Sequence, residues 1–466
     1  MLRLRIASGL SQKPIAVALI GIFGLVPLDA TATKTVSNCL DSGAGSLRQA
    51  LQDAGEGELV DATGLVCSTI TLTSNPLIIT NNAQTIDGPG SDKLTIDAAA
   101  VAGAPVFSHT GVGTLEIDHV SMINGTKYRK EAGYDGGGCI ASQGSVKLDH
   151  VVVSNCKMKT VAPVNFARGG AIYAAGYVKL TQSTVSNSSA QAAFRTYGGA
   201  VYAKTSVTLD HSTISGNAAD YGGGVYAKGN LAITSSTISG NTANGIGGGF
   251  ETRGLLQMSD STISNNTAHI NGGFYVIFQS GAIDASFIRN STITGNTIDA
   301  VFSAAAAEIG VPISISNSTI AYNIAWNGTD EGALYALGGA MHLQSTIIAS
   351  NYPFDVDEQS GTVVDGSNNL SPHSKTNVMP LGTKTDCPLL EPLARTGGPT
   401  ATLAIKHNSP AINFGNNLLS LPNDQRGSGF PRAFSNPDIG AWEWQGGADN
   451  DIFHDSFNPL PGACQT

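Results

Sequence analysis

The sequence predicts an all-β chain wound as a right-handed parallel β-helix, with a helical N-terminal cap and a loop-rich C-terminal cap. Three observations predict it: an imperfect repeat of about 24–32 residues, an asparagine at one point of each copy, and a Gly-Gly pair at another. The clearest copies are LDHSTISGNAADYGGGVY at 209–226, ITSSTISGNTANGIGGGF at 233–250 and MSDSTISNNTAHINGGF at 258–274. Fainter copies include LDHVVVSNC at 148–156, LTQSTVSNS at 180–188, RNSTITGNT at 289–297, SNSTIAYNI at 316–324 and LQSTIIASN at 343–351.

The repeat comes first. Aligned, the copies stack Asn155, Asn187, Asn217, Asn241, Asn266, Asn296, Asn323 and Asn351. The uneven spacing favours strands over helices, because a β-solenoid absorbs insertions in loops at its corners. Thr and Ile dominate each copy, alternation has a period of two, and no stretch holds a 3.6-residue period. Composition agrees: of 466 residues only 13% are charged, and 56 are Gly. A coil of about 25 residues with three short strands would pair each strand with its counterpart about 4.8 Å away. Nine or so coils would make a rod roughly 40 Å long.

The asparagine and the glycines follow from the corners. A side-chain amide can donate to the amide in the next coil and accept from the one before, and Asn tolerates the left-handed backbone of a turn. An unpaired buried polar corner would cost about 1–3 kcal/mol. The pairs Gly169-Gly170, Gly198-Gly199, Gly223-Gly224, Gly248-Gly249 and Gly272-Gly273 mark a second corner needing positive φ or close backbone approach.

The ends need covers, since an open solenoid exposes strand edges. Residues 46–54 read as an amphipathic helix, with Ser46 and Gln49 as a capping box and Leu47, Ala50, Leu51 and Ala54 on one face. The strands at 70–79 and 93–98 begin the coil. The resulting division is 1–32 signal peptide, 33–100 cap and first coils, 101–351 repeats, 352–445 proline-rich C-terminal region and 446–466 polar tail.

Residues 1–32 combine Arg3, Arg5 and Lys13, an apolar run from Ile15 to Leu28, and Ala30-Thr31-Ala32, so cleavage is expected after Ala32. The run is shorter than the roughly 20 residues of a membrane span. Export to the medium or the cell surface makes disulfides the expected state of Cys39, Cys67, Cys139, Cys156, Cys387 and Cys464. Pairing within the three local groups is favoured over free buried thiols: Cys39 with Cys67, Cys139 with Cys156, Cys387 with Cys464. The net charge of −10 and the lack of a basic run argue against nucleic acid. The expected partner is an extracellular glycan or a cell-surface protein, met by a monomer without a cofactor.

Three stretches carry a resemblance. GGAIYA at 169–174, GGAVYA at 198–203 and ISGN at 214–217 resemble the GGAI and FxxN repeats of polymorphic outer membrane proteins, with Ile or Val for the usual Phe. LDSGAGSLRQALQDA at 40–54 and TIDGPGSDKLTID at 85–97 resemble the start of many exported bacterial β-helix proteins. PLARTGGPTATLAIKHNSPAINFG at 392–415, DQRG at 424–427 and PDIGAWE at 437–443 resemble the choice-of-anchor Q domain. The resemblance implies a pectin lyase-like solenoid at a cell surface. The tail GGADNDIFHDSFNPLPGACQT has neither a hydrophobic helix with a basic end nor a sortase motif, so the anchoring route stays open.

No active site is evident. Asp118-His119, Asp149-His150 and Asp210-His211 recur before the Ser-Thr-Ile strand, but other copies put Gln182, Ser235, Asp260, Asn290, Asn317 and Gln344 at the histidine position. A solvated polar position explains that variety better than a metal site. Asp355, Asp357 and Glu358, and also Asp449 and Asp451, lack calcium-loop spacing. Tyr173, Tyr202, Tyr226, Phe250 and Phe274 follow the Gly pair and are expected to stack inward, the alternative being a sugar-binding stripe. Ligand contacts, if any, fall where the repeat breaks: Glu251 and Arg253, and Trp326, Asp330 and Glu331, all of which read more simply as solvated loop positions. The expected function is a non-catalytic exported surface for adhesion or glycan contact. The alternatives are a polysaccharide lyase or glycoside hydrolase on the same scaffold, and a purely structural spacer.

Overall fold

The computed structural model describes residues 33–129, 136–160, 165–277, 286–298, 304–325, 332–446 and 464. The chain winds as a right-handed parallel β-helix, and every strand-to-strand pairing in its four sheets is parallel to the equivalent strand one coil away. One coil shows the order: Val207–Asp210 in sheet A, Thr213–Ser215 in sheet B, Ala218–Tyr221 in sheet C and Val225–Ala227 in sheet D. Three strands per coil were expected, and the first coils have three. From Thr126–Arg129 onward a fourth appears, because the chain between the asparagine rung and the glycine corner is also extended and pairs as sheet C.

The inward rows make the core. Ile214, Ile238, Ile263, Ile293 and Ile320 lie in register along sheet B and are 0% exposed. In sheet D, Val225, Phe250 and Phe274 are in register, and the two phenylalanine rings stack at 4.6 Å. Burying each such ring contributes roughly 2–3 kcal/mol against leaving it in water.

The asparagine ladder is real but shorter than the alignment implies. Asn217 Nδ2 donates to Asn241 Oδ1 at 3.0 Å, and the same bond repeats from Asn241 to Asn266, Asn266 to Asn296, Asn296 to Asn323 and Asn323 to Asn351. Each amide also bonds a main-chain carbonyl, such as Asn266 to Ile238 O at 3.0 Å. Asn155 and Asn187 are not rungs. They occupy the left-handed corner itself (φ 55° and 51°), the position of Gly216 and Gly240 in later coils. The rung in those coils is Cys156 and then Ser188, joined by Cys156 N donating to Ser188 Oγ at 3.1 Å and Ser188 N to Asn217 Oδ1 at 2.9 Å. The alignment matched the letter Asn where the backbone required its neighbour.

A serine ladder at the preceding corner was not foreseen. Ser183, Ser212, Ser236, Ser261 and Ser291 each donate their N–H to the hydroxyl of the next member, ending at Ser318. At the glycine corner the positive φ falls on Gly169 and Gly198, but on Gly222, Gly247 and Asn271 in the later copies, one residue ahead of the expected pair. The next glycine is required by proximity: a Cβ on Gly170 or Gly223 would collide with the backbone of the neighbouring coil.

The N-terminal helix runs Leu47–Asp53 and buries Leu47, Ala50 and Leu51. Only half of the capping box forms. Gln49 N donates to Ser46 Oγ at 3.2 Å, while the Gln49 side chain turns forward to Asp53. The three disulfides pair as expected: Cys39–Cys67, Cys139–Cys156 and Cys387–Cys464. No helix among the described residues is long and apolar enough to cross a membrane.

The segment from Thr400 to Glu443 straps the outer face of sheet B over its later coils. Gln425 accepts from Thr292 Oγ1 and donates to Thr262 Oγ1, and Ala441 N donates to Thr319 Oγ1. Within it, Asp424 binds Arg426, and fully buried Arg432 donates to the carbonyls of Asp438, Gly440 and Ala441. The DQRG and GAWE stretches are thus packing elements, and they bury the outward threonines that the earlier coils leave partly exposed.

Candidate functional site

Sheet D carries the chemistry. Its outward row runs in register through Tyr173, Tyr202, Tyr226, Glu251, Tyr275, Glu308, Tyr335 and Asp357. From Tyr226 onward tyrosine and carboxylate alternate strictly, one side chain per coil. The tyrosines expected to stack inward with Phe250 and Phe274 therefore face the other way. Strand alternation makes this unavoidable: Ile172, Val201 and Val225 take the inward position, and the next residue must point out.

Tyr173, Tyr202 and Tyr226 stack at 5.6 and 5.5 Å and are at most 6% exposed, because Tyr197 and Tyr221 of the sheet C side close over them. Burial pushes the Tyr226 hydroxyl far above its usual range, assisted by the Glu251 charge, and pushes Tyr275 up to about 12.

Glu251 is the centre of the row. It is 1% exposed, its Oε1 accepts from Arg253 Nε at 3.0 Å, and its Oε2 has no hydrogen-bond partner. Burial raises its pKa against the lowering effect of Arg253. Arg253 lies 5.8 Å from the Tyr226 ring centre. Glu251 and Arg253 were expected as solvated loop charges. They flank Thr252 at the end of the strand Phe250–Thr252, with Glu251 outward and enclosed. Glu308, two coils on, is also raised by burial, opposed by a hydrogen bond from Asn271. Asp357 pairs with Lys375 at 2.7 Å. Trp326, Asp330 and Glu331 lie outside the described residues, as do Asp449 and Asp451.

The remaining candidates resolve into corner structure. His119, His150 and His211 occupy a left-handed corner with Gln182, Ser235, Asp260, Asn290 and Asn317. The last member is Ser345, not Gln344, which lies one residue earlier in register with Ser316. His150 and His211 bond the adjacent Asp149 and Asp210, whereas His119 reaches Asp87 in the coil before. Asp355 closes the asparagine ladder. No group of three His, Cys, Asp or Glu among the described residues is placed to hold a metal.

Glu308 and Tyr335 escaped notice in the sequence for a physical reason, whereas Tyr275 stands directly after Phe274, the inward ring that the Gly272-Gly273 pair marks. Beyond Gly273 the corner uses Ala305-Ala306 and Gly332-Ala333, so the Gly-Gly marker disappears while the register continues. Reading the second residue of each sheet D strand, whatever precedes it, would have exposed the alternation.

Residues 78–285 match the family model described as a right handed beta helix region. That is the fold seen here. No curated protein matches the sequence. Among solved structures the chain is similar to pectate lyase Pel9A, at 14% identity over 89% of this chain and 97% of that one, with a TM-score of 0.46. It is also similar to the PL6 family alginate lyase AlyGC, at 13% identity over 80% of this chain and 56% of that one, with a TM-score of 0.37.

Proposed function

We propose that this protein is exported and contacts a polysaccharide along the outward row of sheet D. The observation that carries the reading is the alternation Tyr226, Glu251, Tyr275, Glu308, Tyr335, Asp357, of which Tyr275, Glu308 and Tyr335 are partly exposed and the other three buried. Aromatic faces stack on the apolar faces of sugar rings, and carboxylates accept from ring hydroxyls. A coil rise of about 4.8 Å sets Tyr275 and Tyr335 about 10 Å apart with Glu308 between them, a spacing suited to consecutive units of an extended sugar chain. Equilibrium binding of the full chain to a panel of soluble polysaccharides tests this. Tyr275→Ala is expected to weaken the best binder at least fivefold, while a wild-type chain that binds none of them rejects the reading.

A second reading rests on Glu251 alone. A buried carboxyl with a raised pKa and an unpartnered oxygen is the form a general acid takes, and Glu308 supplies a second carboxyl two rungs away. Their Cα atoms stand about 10 Å apart, within side-chain reach of the roughly 6.5–9.5 Å carboxyl separation of an inverting hydrolase. Arg253 would supply the cation that steadies a charged substrate. Incubation with the polysaccharides that bind, followed by reducing-end and unsaturated-uronide assays, decides between contact and cleavage. Release by the wild type that Glu251→Gln abolishes supports catalysis; no release leaves contact alone.

A further inference from the structure

We infer that the polysaccharide is anionic, and that a cation-and-aromatic patch on the sheet C side of the early coils recognises its charge. The inference rests on the glycan reading above. Sheet C and its side strands bring together Lys159, Arg168 and Arg195 with Tyr128, Phe166 and Phe194. Each cation lies over a ring: Lys159 is 6.0 Å from the Tyr128 centre, Arg168 6.0 Å from Phe166, and Arg195 4.9 Å from Phe194. The two phenylalanines meet edge to face at 5.8 Å.

Three features separate this patch from ordinary surface. The rings are exposed, Phe194 by 60%, Tyr128 by 49% and Phe166 by 38%. The cations gather on one face of a chain whose net charge is −10. Among the described residues Lys159 and Arg195 form no ion pair, whereas Lys147 and Lys375 meet Glu116 and Asp357. The Arg195 guanidinium, laid on Phe194, keeps its N–H edge for a carboxylate or sulfate, Arg168 adds positive charge while bonded to Tyr202, and the exposed rings offer apolar faces beside them. Neutral glycans would use the rings only.

The patch is joined to the proposed binding row through buried side chains. Arg168 also lies 5.7 Å from Tyr202, Tyr202 stacks on Tyr226, and Arg253 covers Tyr226 beside Glu251.

The test is equilibrium binding of the full chain to dextran sulfate, polygalacturonate, dextran and a single-stranded oligodeoxythymidylate, at low and high salt. The expected result is that one acidic glycan binds at least tenfold tighter than dextran and loses affinity with salt. The polygalacturonate and dextran sulfate arms tell carboxylate from sulfate. The Arg168→Gln/Arg195→Gln double variant should weaken the acidic glycan at least fivefold and leave dextran unchanged, and Phe194→Ala should weaken it at both salt concentrations, with far-UV circular dichroism confirming each fold. Equal binding of dextran, tighter binding of the oligonucleotide than of either acidic glycan, or unaltered binding by the double variant overturns the inference. Should Tyr275→Ala weaken binding while the double variant does not, the patch is wrong and the row reading stands. Should no glycan bind, both fall.

Discussion

Asn351 donates its side-chain amide to Asp355 Oδ1 at 3.0 Å, so the asparagine ladder ends on a carboxylate. Asp355 also accepts from the main-chain N–H of Asn351 and, through Oδ2, from that of His373. The last rung thereby ties the solenoid to the loop that follows it. Burial raises the Asp355 pKa against these hydrogen bonds. Asp355→Ala leaves buried donors unpaired and is expected to lower stability by about 2–3 kcal/mol, read as a fall in the urea midpoint.

Interrupting the ladder in its middle should cost at least as much. Asn266 accepts from both the N–H and the amide of Asn241 and donates to Ile238 O and Asn296 Oδ1. Asn266→Ala is expected to cost about 3 kcal/mol. Asn187→Ala, at an exposed-side corner outside the ladder, should cost less than half of that. Equal losses in urea unfolding would mean that the ladder is not the stabilising element.

These two asparagines show what the sequence makes legible. Residue type identified the corner, because both a rung and a left-handed turn favour Asn, but one letter cannot tell the two apart. Coil winding, strand direction, the capping helix and the local disulfides were readable because each has a local cause. The site was not. Glu308 sits beside no unusual motif, Tyr275 lies one residue past the inward Phe274 that the motif marks, and only the register of strands 33 residues apart in sequence brings them to one row. The outward turn of Tyr226 was readable in principle, since Val225 before it fills the inward position.

The glycine corner gives a third prediction. A Cβ at Gly223 would collide with the backbone of Gly248 and Thr242 in the next coil. Gly223→Ala should therefore open the stack locally and raise amide exchange at Gly223–Ala227 and at Gly248–Thr252, with a stability loss above about 2 kcal/mol. Gly240→Ala meets no such contact and is strained by its φ of 63° alone. Its loss should be near 1 kcal/mol.

Sheet A stacks Asp87, Asp118 and Asp149 on successive coils. Burial, and then the neighbouring acids, push Asp118 up to about 6. A carboxyl raised above its unfolded value near 3.8 stabilises the fold fully below that value, and the benefit is lost as pH rises through about 6. Asp118→Asn should flatten the stability profile between about pH 4 and 6 and raise stability at pH 7 by on the order of 1 kcal/mol after solvent screening. Thermal melts across that range check it, and a variant less stable than wild type at pH 7 would oppose the assignment.

The most direct test of the proposed function is polysaccharide binding measured calorimetrically for the wild type, Tyr275→Ala and Glu308→Gln side by side. Tyr275 and Glu308 are adjacent outward positions of sheet D, in register one coil apart. The row account predicts saturable binding by the wild type and at least a fivefold loss in each variant, with melting temperatures unchanged. Wild-type affinity in both variants, or no binding by the wild type to any polysaccharide, would contradict it.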